Sequence, residues 1–157
     1  MLYDHILVPY DGSASAKAAL AEATRYAKDD PGARLSIIQI IDTELLLAER
    51  LKAEKRPTNS TFTPVVPQAD YEAAIAELHD AIVGLLPDLM NELTVEFLEE
   101  TEPGEQIVAY AEEGGCDLII MGSRGLGALR GILGSVSNYV LREAHMPVLI
   151  VKHRAER

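Results

Sequence analysis

Between residues 121 and 138 the chain reads MGSRGLGALRGILGSVSN and holds five of its eleven glycines, at 122, 125, 127, 131 and 134. Glycine gives up more backbone entropy on folding than any other residue, so this density marks a need for main chain without Cβ atoms. A bound phosphate is one such need. Bare residues let N–H groups close on its oxygens, and a helix that begins where the loop ends adds unpaired N–H groups and the positive end of its dipole. The flanks fit this reading: an apolar run at 117–121 leads into the loop, and a periodic apolar segment at 136–144 leads out of it. Ser135 and Ser137 stand at that helix start, either as N-caps or as hydroxyl donors to the same anion. Arg124 and Arg130 bring positive charge to the loop of a chain whose net charge is -11. A loop that merely turns the chain is the competing reading of the glycines.

The second candidate is Asp11, just past a first apolar run at 6–9. Ligands of open α/β sheets bind at the carboxyl ends of strands, where Asp11 falls. An Asx turn or a helix cap ahead of Gly12-Ser13 is the alternative use of the same residue.

Positioning these residues takes a regular scaffold, and the hydrophobic periodicity supplies one. Short continuous apolar runs predict strands at 6–9, 35–41, 116–121 and 148–152, and an alternating run predicts another at 93–98. Helices are predicted at 13–28, 69–86, 103–113 and 135–144, with Ser13 as an N-cap, Pro103 as a first helical residue and Gly114-Gly115 as a stop. The first of these helices presents Ala16, Ala19, Leu20, Ala23 and Tyr26 or Ala27 on one face. Strands alternating with helices describe an α/β fold, an open five-stranded parallel sheet between layers of helices. Its first and fourth strands then flank the point where a crevice opens, which brings Asp11 and the glycine loop to one rim. Residues 43–68, with good helix formers followed by prolines and small polar residues, read as a flexible insert within a single domain spanning 1–157.

Composition narrows the function. At 157 residues and 48% hydrophobic content, one domain can bury a core without disulfides or metals. Cys116 is the single cysteine and reads as a small buried thiol, and the histidines at 5, 79, 145 and 153 show no metal-ligand spacing. An excess of 25 acidic over 14 basic side chains argues against a nucleic-acid or anionic-membrane surface. No apolar run reaches the roughly eighteen residues of a membrane span, and Asp4 and His5 interrupt the apolar start, so a cytoplasmic address is expected.

The glycine spacing is neither a Walker A loop nor a dinucleotide GxGxxG. Gly122-x-x-Gly125 followed by Gly134-Ser135, together with ILVPYDGS, DLIIMGSRG, GSVSNYVL and PVLIVK, resembles the universal stress protein family. The signature of that family is GxxG, nine residues, then Gly-Ser/Thr; here residues 126–133 make the interval eight. The resemblance implies strand order 3-2-1-4-5, helices on both faces, and a homodimer formed through the C-terminal strand. It implies an adenine nucleotide, ATP or else ADP or AMP, with Mg2+ as a companion ion. The implied contacts are Pro9, Asp11, Ile40, Met121, Gly122, Arg124, Gly125, Gly134, Ser135, Val136 and Ser137. Asp11 would hold the ribose hydroxyls. The backbone near Ile40 would meet adenine, or Ile40 is ordinary core. Main chain at 122, 124, 125 and 134 and the two serine hydroxyls would meet the phosphates. The resemblance implies a regulatory nucleotide-binding protein of stress response. A slow ATPase and a nucleotide-free interaction module are the alternatives, and the sequence offers no Walker B equivalent or evident base for efficient turnover.

Overall fold

Runs such as Ile6-Leu7-Val8 and Leu118-Ile119-Ile120-Met121 have no polar side chain to turn toward water, so they are stable only where both faces of a sheet are covered. A computed structural model of the chain, describing residues 2–42, 48–49, 68–99, 102–124 and 133–153, puts them there. Its strands are β1 His5–Pro9, β2 Arg34–Ile41, β3 Leu93–Glu99, β4 Leu118–Gly122 and β5 Val148–Val151. Its helices are α1 Ala14–Asp29, α2 Gln68–Gly84, α3 Pro103–Glu113 and α4 Ser135–Glu143. Each strand and helix predicted from the sequence is present, with ends displaced by one or two residues.

The sheet is parallel, in the order β3-β2-β1-β4-β5. Leu7 lies opposite Ser36 on one neighbour and Ile119 on the other, and Ile119 lies opposite Val148. Because Cβ atoms alternate across a strand, the side chains divide into two layers. Leu7, Ile38, Ile119 and Met121 pack with Ile107 and Ala111 of α3 and Val140 of α4. The intervening residues, Ile6, Val8, Leu118 and Ile120, are buried on the opposite face, where α1 packs on β1 and β4. Helices therefore cover both faces.

α1 begins where Ser13 accepts the Ala16 N–H at 3.2 Å, and it buries Ala16, Ala19, Leu20, Ala23 and Ala27. The open choice at the end of that face falls to Ala27, since Tyr26 is exposed. α1 can lie close to the sheet because its inward face is almost all alanine.

Polar groups at the amino-terminal rim satisfy one another. The Asp117 carboxylate accepts the N–H groups of Asp4 at 2.8 Å and His5 at 3.0 Å, continuing the β1–β4 pairing below the ladder. Buried His5 places Nδ1 3.1 Å from the Gly114 carbonyl and Nε2 2.7 Å from the Ser36 hydroxyl. A carbonyl can only accept, so Nδ1 carries the proton and Nε2 accepts from Ser36. Burial, and then the nearby Arg34 charge, hold His5 below its ordinary pKa. Burial raises the Cys116 thiol to about 11, in keeping with the inert buried cysteine expected from the sequence. Asn91 Nδ2 points at the carbonyls of Ala27, Asp30 and Ala33, at 2.8, 2.9 and 2.9 Å, and so ties the end of α1 to the start of β2.

The chain divides into two compact units. One, Met1–Ile40 with Asp88–Arg157, carries the sheet, α1, α3 and α4; the other, Ile41–Pro87, carries α2, in which Ala74 and Ile82 are buried. The insert expected at 43–68 lies outside the described residues, apart from 48, 49 and 68. Among the described residues no helix is long and apolar enough to cross a membrane.

Candidate functional site

β1 and β4 are adjacent, while the chain leaves β1 toward β2 and β4 toward β5. Their carboxyl ends therefore border the point where the connections diverge, the place at which open α/β sheets take ligands.

Three segments meet at this rim. Tyr10 N–H donates to Ile38 O at 2.8 Å, which carries the β1–β2 pairing one residue past Pro9. Asp11 follows, half-buried, and its Oδ1 accepts the Ser13 N–H at 2.9 Å. This is the Asx turn that the sequence allowed, and it uses one carboxylate oxygen of the two. Burial, and then the Asp11 charge, raise the pKa of Tyr10.

The second segment is the end of β4. Met121 is buried in the core beneath α3 and α4, so its side chain is not a rim group. Gly122 faces α1 so closely that a Cβ there would lie 2.5 Å from Ser15 Oγ, 2.7 Å from Ser15 C and 2.8 Å from Ala16 N. The bareness of Gly122 is thus a packing requirement, a reason separate from the anion argument of the sequence.

The third segment is the start of α4. Gly134 occupies the N-cap position with no side-chain cap, and its N–H donates to Ser123 O at 2.8 Å. The first main-chain bond of the helix runs from Asn138 N–H to Gly134 O, so the N–H groups of Ser135, Val136 and Ser137 have no acceptor within it. Ser135 is exposed. Ser137 is buried, and its hydroxyl donates to the carbonyls of Ser123 and Gly134, each at 3.0 Å. The Ser137 hydroxyl is therefore engaged within the protein, and only its main-chain N–H is left for the phosphate contact expected of it. Val136 and Ile40 pack against the core cluster, which leaves their backbone for the rim.

The structure thus brings Pro9, Asp11, Gly122, Arg124, Gly134, Ser135 and Ser137 to one end of one sheet. Gly125, Arg130 and the shortened interval up to 132 lie outside the described residues. Sequence reasoning passed over Ser15, whose hydroxyl donates to the Arg124 carbonyl at 2.5 Å. Its phase was a usable signal, since Ser15 stands one helical turn before buried Ala19.

Fold and rim together define an open α/β sandwich with an uncapped helix start at its topological switch point. The model of the universal stress protein family matches residues 2–152. Over 152 residues the chain is 31% identical to universal stress protein MJ0531 of Methanocaldococcus jannaschii, an alignment covering 96% of this chain and 83% of that one. Universal stress protein MJ0577 of the same organism is 29% identical over 98% of each chain. Its solved structure superposes with a TM-score of 0.72 at 26% identity, covering 99% of this chain and 100% of that one. A universal stress protein of Archaeoglobus fulgidus, solved in complex with dAMP, shares the fold with a TM-score of 0.63 at 21% identity, over 97% and 100% of the two chains. The chain belongs to the universal stress protein family.

Proposed function

We propose that this chain is an ATP-binding regulatory member of its family, in which nucleotide occupancy governs stability and partner choice during stress. The observation that carries the reading is the convergence, across more than a hundred residues of sequence, of the Asp11 carboxylate and the uncapped N–H groups of α4 on one rim. Free N–H groups and a helix dipole suit the phosphates, ATP, ADP and AMP differing in how many they present. The second Asp11 oxygen suits the ribose hydroxyls, and main chain beyond Ile38 suits the adenine edge. Mg2+ bound with ATP would partly neutralise the phosphates, easing their approach to a chain of net charge -11. The dAMP complex of the Archaeoglobus relative supports adenine-nucleotide binding on this fold.

Binding is favoured over turnover because Asp11 is already fixed by the Ser13 N–H and is assigned to the sugar rather than to an attacking water. We also propose a homodimer through β5: all four of its residues are half-buried, and an apolar edge strand is stabilised by pairing with a second copy.

The test is a comparison of ATP with its 2′,3′-dideoxy analogue by calorimetric titration. Asp11→Ala should weaken ATP about 10- to 100-fold, the range for a hydrogen bond to a charged group, and leave the affinity of the analogue nearly unchanged. Equal losses for both ligands would remove Asp11 from the site.

A further inference from the structure

The glycine loop leaves β4 through Ser123 and Arg124, and both of their carbonyls are held by hydroxyls from elsewhere in the chain. Ser123 O accepts the Gly134 N–H at 2.8 Å and the Ser137 hydroxyl at 3.0 Å, which ties the strand exit to the start of α4. Arg124 O accepts the Ser15 hydroxyl at 2.5 Å, with the Ser13 hydroxyl at 3.4 Å, which ties the next peptide to the start of α1. Peptide units are planar and trans, so fixing the Ser123 carbonyl also fixes the Arg124 N–H on the other side of the same unit. Two consecutive carbonyls at the strand exit are therefore held, one from each helix.

We infer that Ser15 is a positioning residue of the nucleotide site, holding the strand exit at Ser123 and Arg124, and through it the start of α4, in the orientation at which the main-chain N–H groups of α4 meet the phosphates. The inference rests on the proposed nucleotide function and extends it to a residue that does not itself reach the ligand. Ser15 is buried, at 4% exposure, so its hydroxyl is closed off from solvent. At the second position of α1 its partner lies 109 residues away, which makes the bond a bridge between elements rather than a local cap. Ser13 is the cap: its oxygen takes the Ala16 N–H, and its reach to Arg124 is nearly an ångström longer than that of Ser15. Division of labour follows. The groups expected to hold the nucleoside, Asp11 and the end of β2, lie outside the Ser15 bond, whereas the loop entry lies within it.

The experiment is the ratio of ATP to adenosine affinity, measured by titration on the full chain. Ser15→Ala should lower ATP affinity about tenfold, the loss of one hydrogen bond, while adenosine affinity changes less than twofold, so the ratio falls. A purely structural serine would shift the unfolding midpoint or weaken both ligands together, and an unchanged ratio overturns the inference. If Ser15→Ala does not fold, Ser15→Cys takes its place under the same criterion, because a thiol fills the space but donates weakly. Failure of the wild-type chain to bind either ligand would overturn the proposed function and this inference together. Wild-type binding with an unchanged ratio in the variant would overturn the role of Ser15 alone.

Discussion

Gly122→Ala tests the packing at the rim with a single methyl group. The added Cβ would stand 2.7 Å from Ser15 C and 2.8 Å from Ala16 N, against the 3.4 Å at which ordinary contact begins. Both neighbours are backbone atoms in the first turn of α1, so no rotamer change relieves the overlap, and the helix start has to retreat by about 0.6–0.7 Å. Forcing a methyl into a packed site costs about 1–3 kcal/mol. The retreat also strains the Ser15 hydrogen bond to Arg124, worth about 1 kcal/mol. Together they lower stability by about 2–4 kcal/mol, which for a chain of this size lowers Tm by roughly 5–15 °C. The assay is thermal unfolding followed by circular dichroism, with Gly84→Ala as the control. Gly84 is exposed at the end of α2, and a Cβ there meets nothing within 4 Å, so the same substitution should stabilise by about 0.5–1 kcal/mol. Opposite signs for the two substitutions are the expected result. A Gly122→Ala midpoint within a degree of the wild type would refute the close approach of α1 to β4, and with it the geometry that brings Ser15 to the loop.

Two further outcomes follow from the opposite rim. Asn91→Ala removes the donor shared by three carbonyls and should cost about 1–3 kcal/mol in urea denaturation; Asn91→Asp should cost more, since it turns an acceptor toward those oxygens. The pH dependence comes from His5, whose folded pKa lies below the unfolded value of about 6.5. Between the two values the unfolded chain binds the extra proton, so stability is full above about pH 6.5 and is lost as pH falls below it. The urea midpoint should therefore drop between pH 7.5 and 5.5 in the wild type and less so in His5→Phe; parallel curves would show that His5 is not the group responsible.

Most of the fold was legible because its signals are local. The run at 6–9 and the run at 118–121 read as doubly buried strands, the alanines of α1 mark a face that lies close to the sheet, and Pro103 and Gly114 bracket α3. The meeting of Asp11 with the exit of β4 was legible for a different reason: each follows an apolar run, and parallel topology brings such strand ends to one rim. Contacts between distant segments left no such trace. Nothing near Asn91 announces that its acceptors lie 58–64 residues earlier, and nothing near His5 announces Ser36 or Gly114. The hydroxyl of Ser137 illustrates the same limit: its spacing from Gly134 suits a phosphate donor, yet the fold gives it two closer protein carbonyls.

The contrast between the two rims is itself an argument for where a ligand binds. At the amino-terminal rim the polar groups are consumed by one another: Asp117 takes two N–H groups, His5 uses both ring nitrogens, and Asn91 serves three carbonyls. A ligand there would have to break bonds before making any. At the carboxyl-terminal rim Ser13, Ser15 and Ser137 satisfy the carbonyls of Ser123, Arg124 and Gly134, while the donors at the start of α4 remain without partners inside the helix. Among the described main-chain groups at the exit of β4 and the start of α4 the unmet groups are N–H donors, which a species rich in acceptors and negative charge would satisfy. Phosphate is such a species, and the serine hydroxyls that cover the Ser123, Arg124 and Gly134 carbonyls would reduce their repulsion of it, in line with the function proposed above.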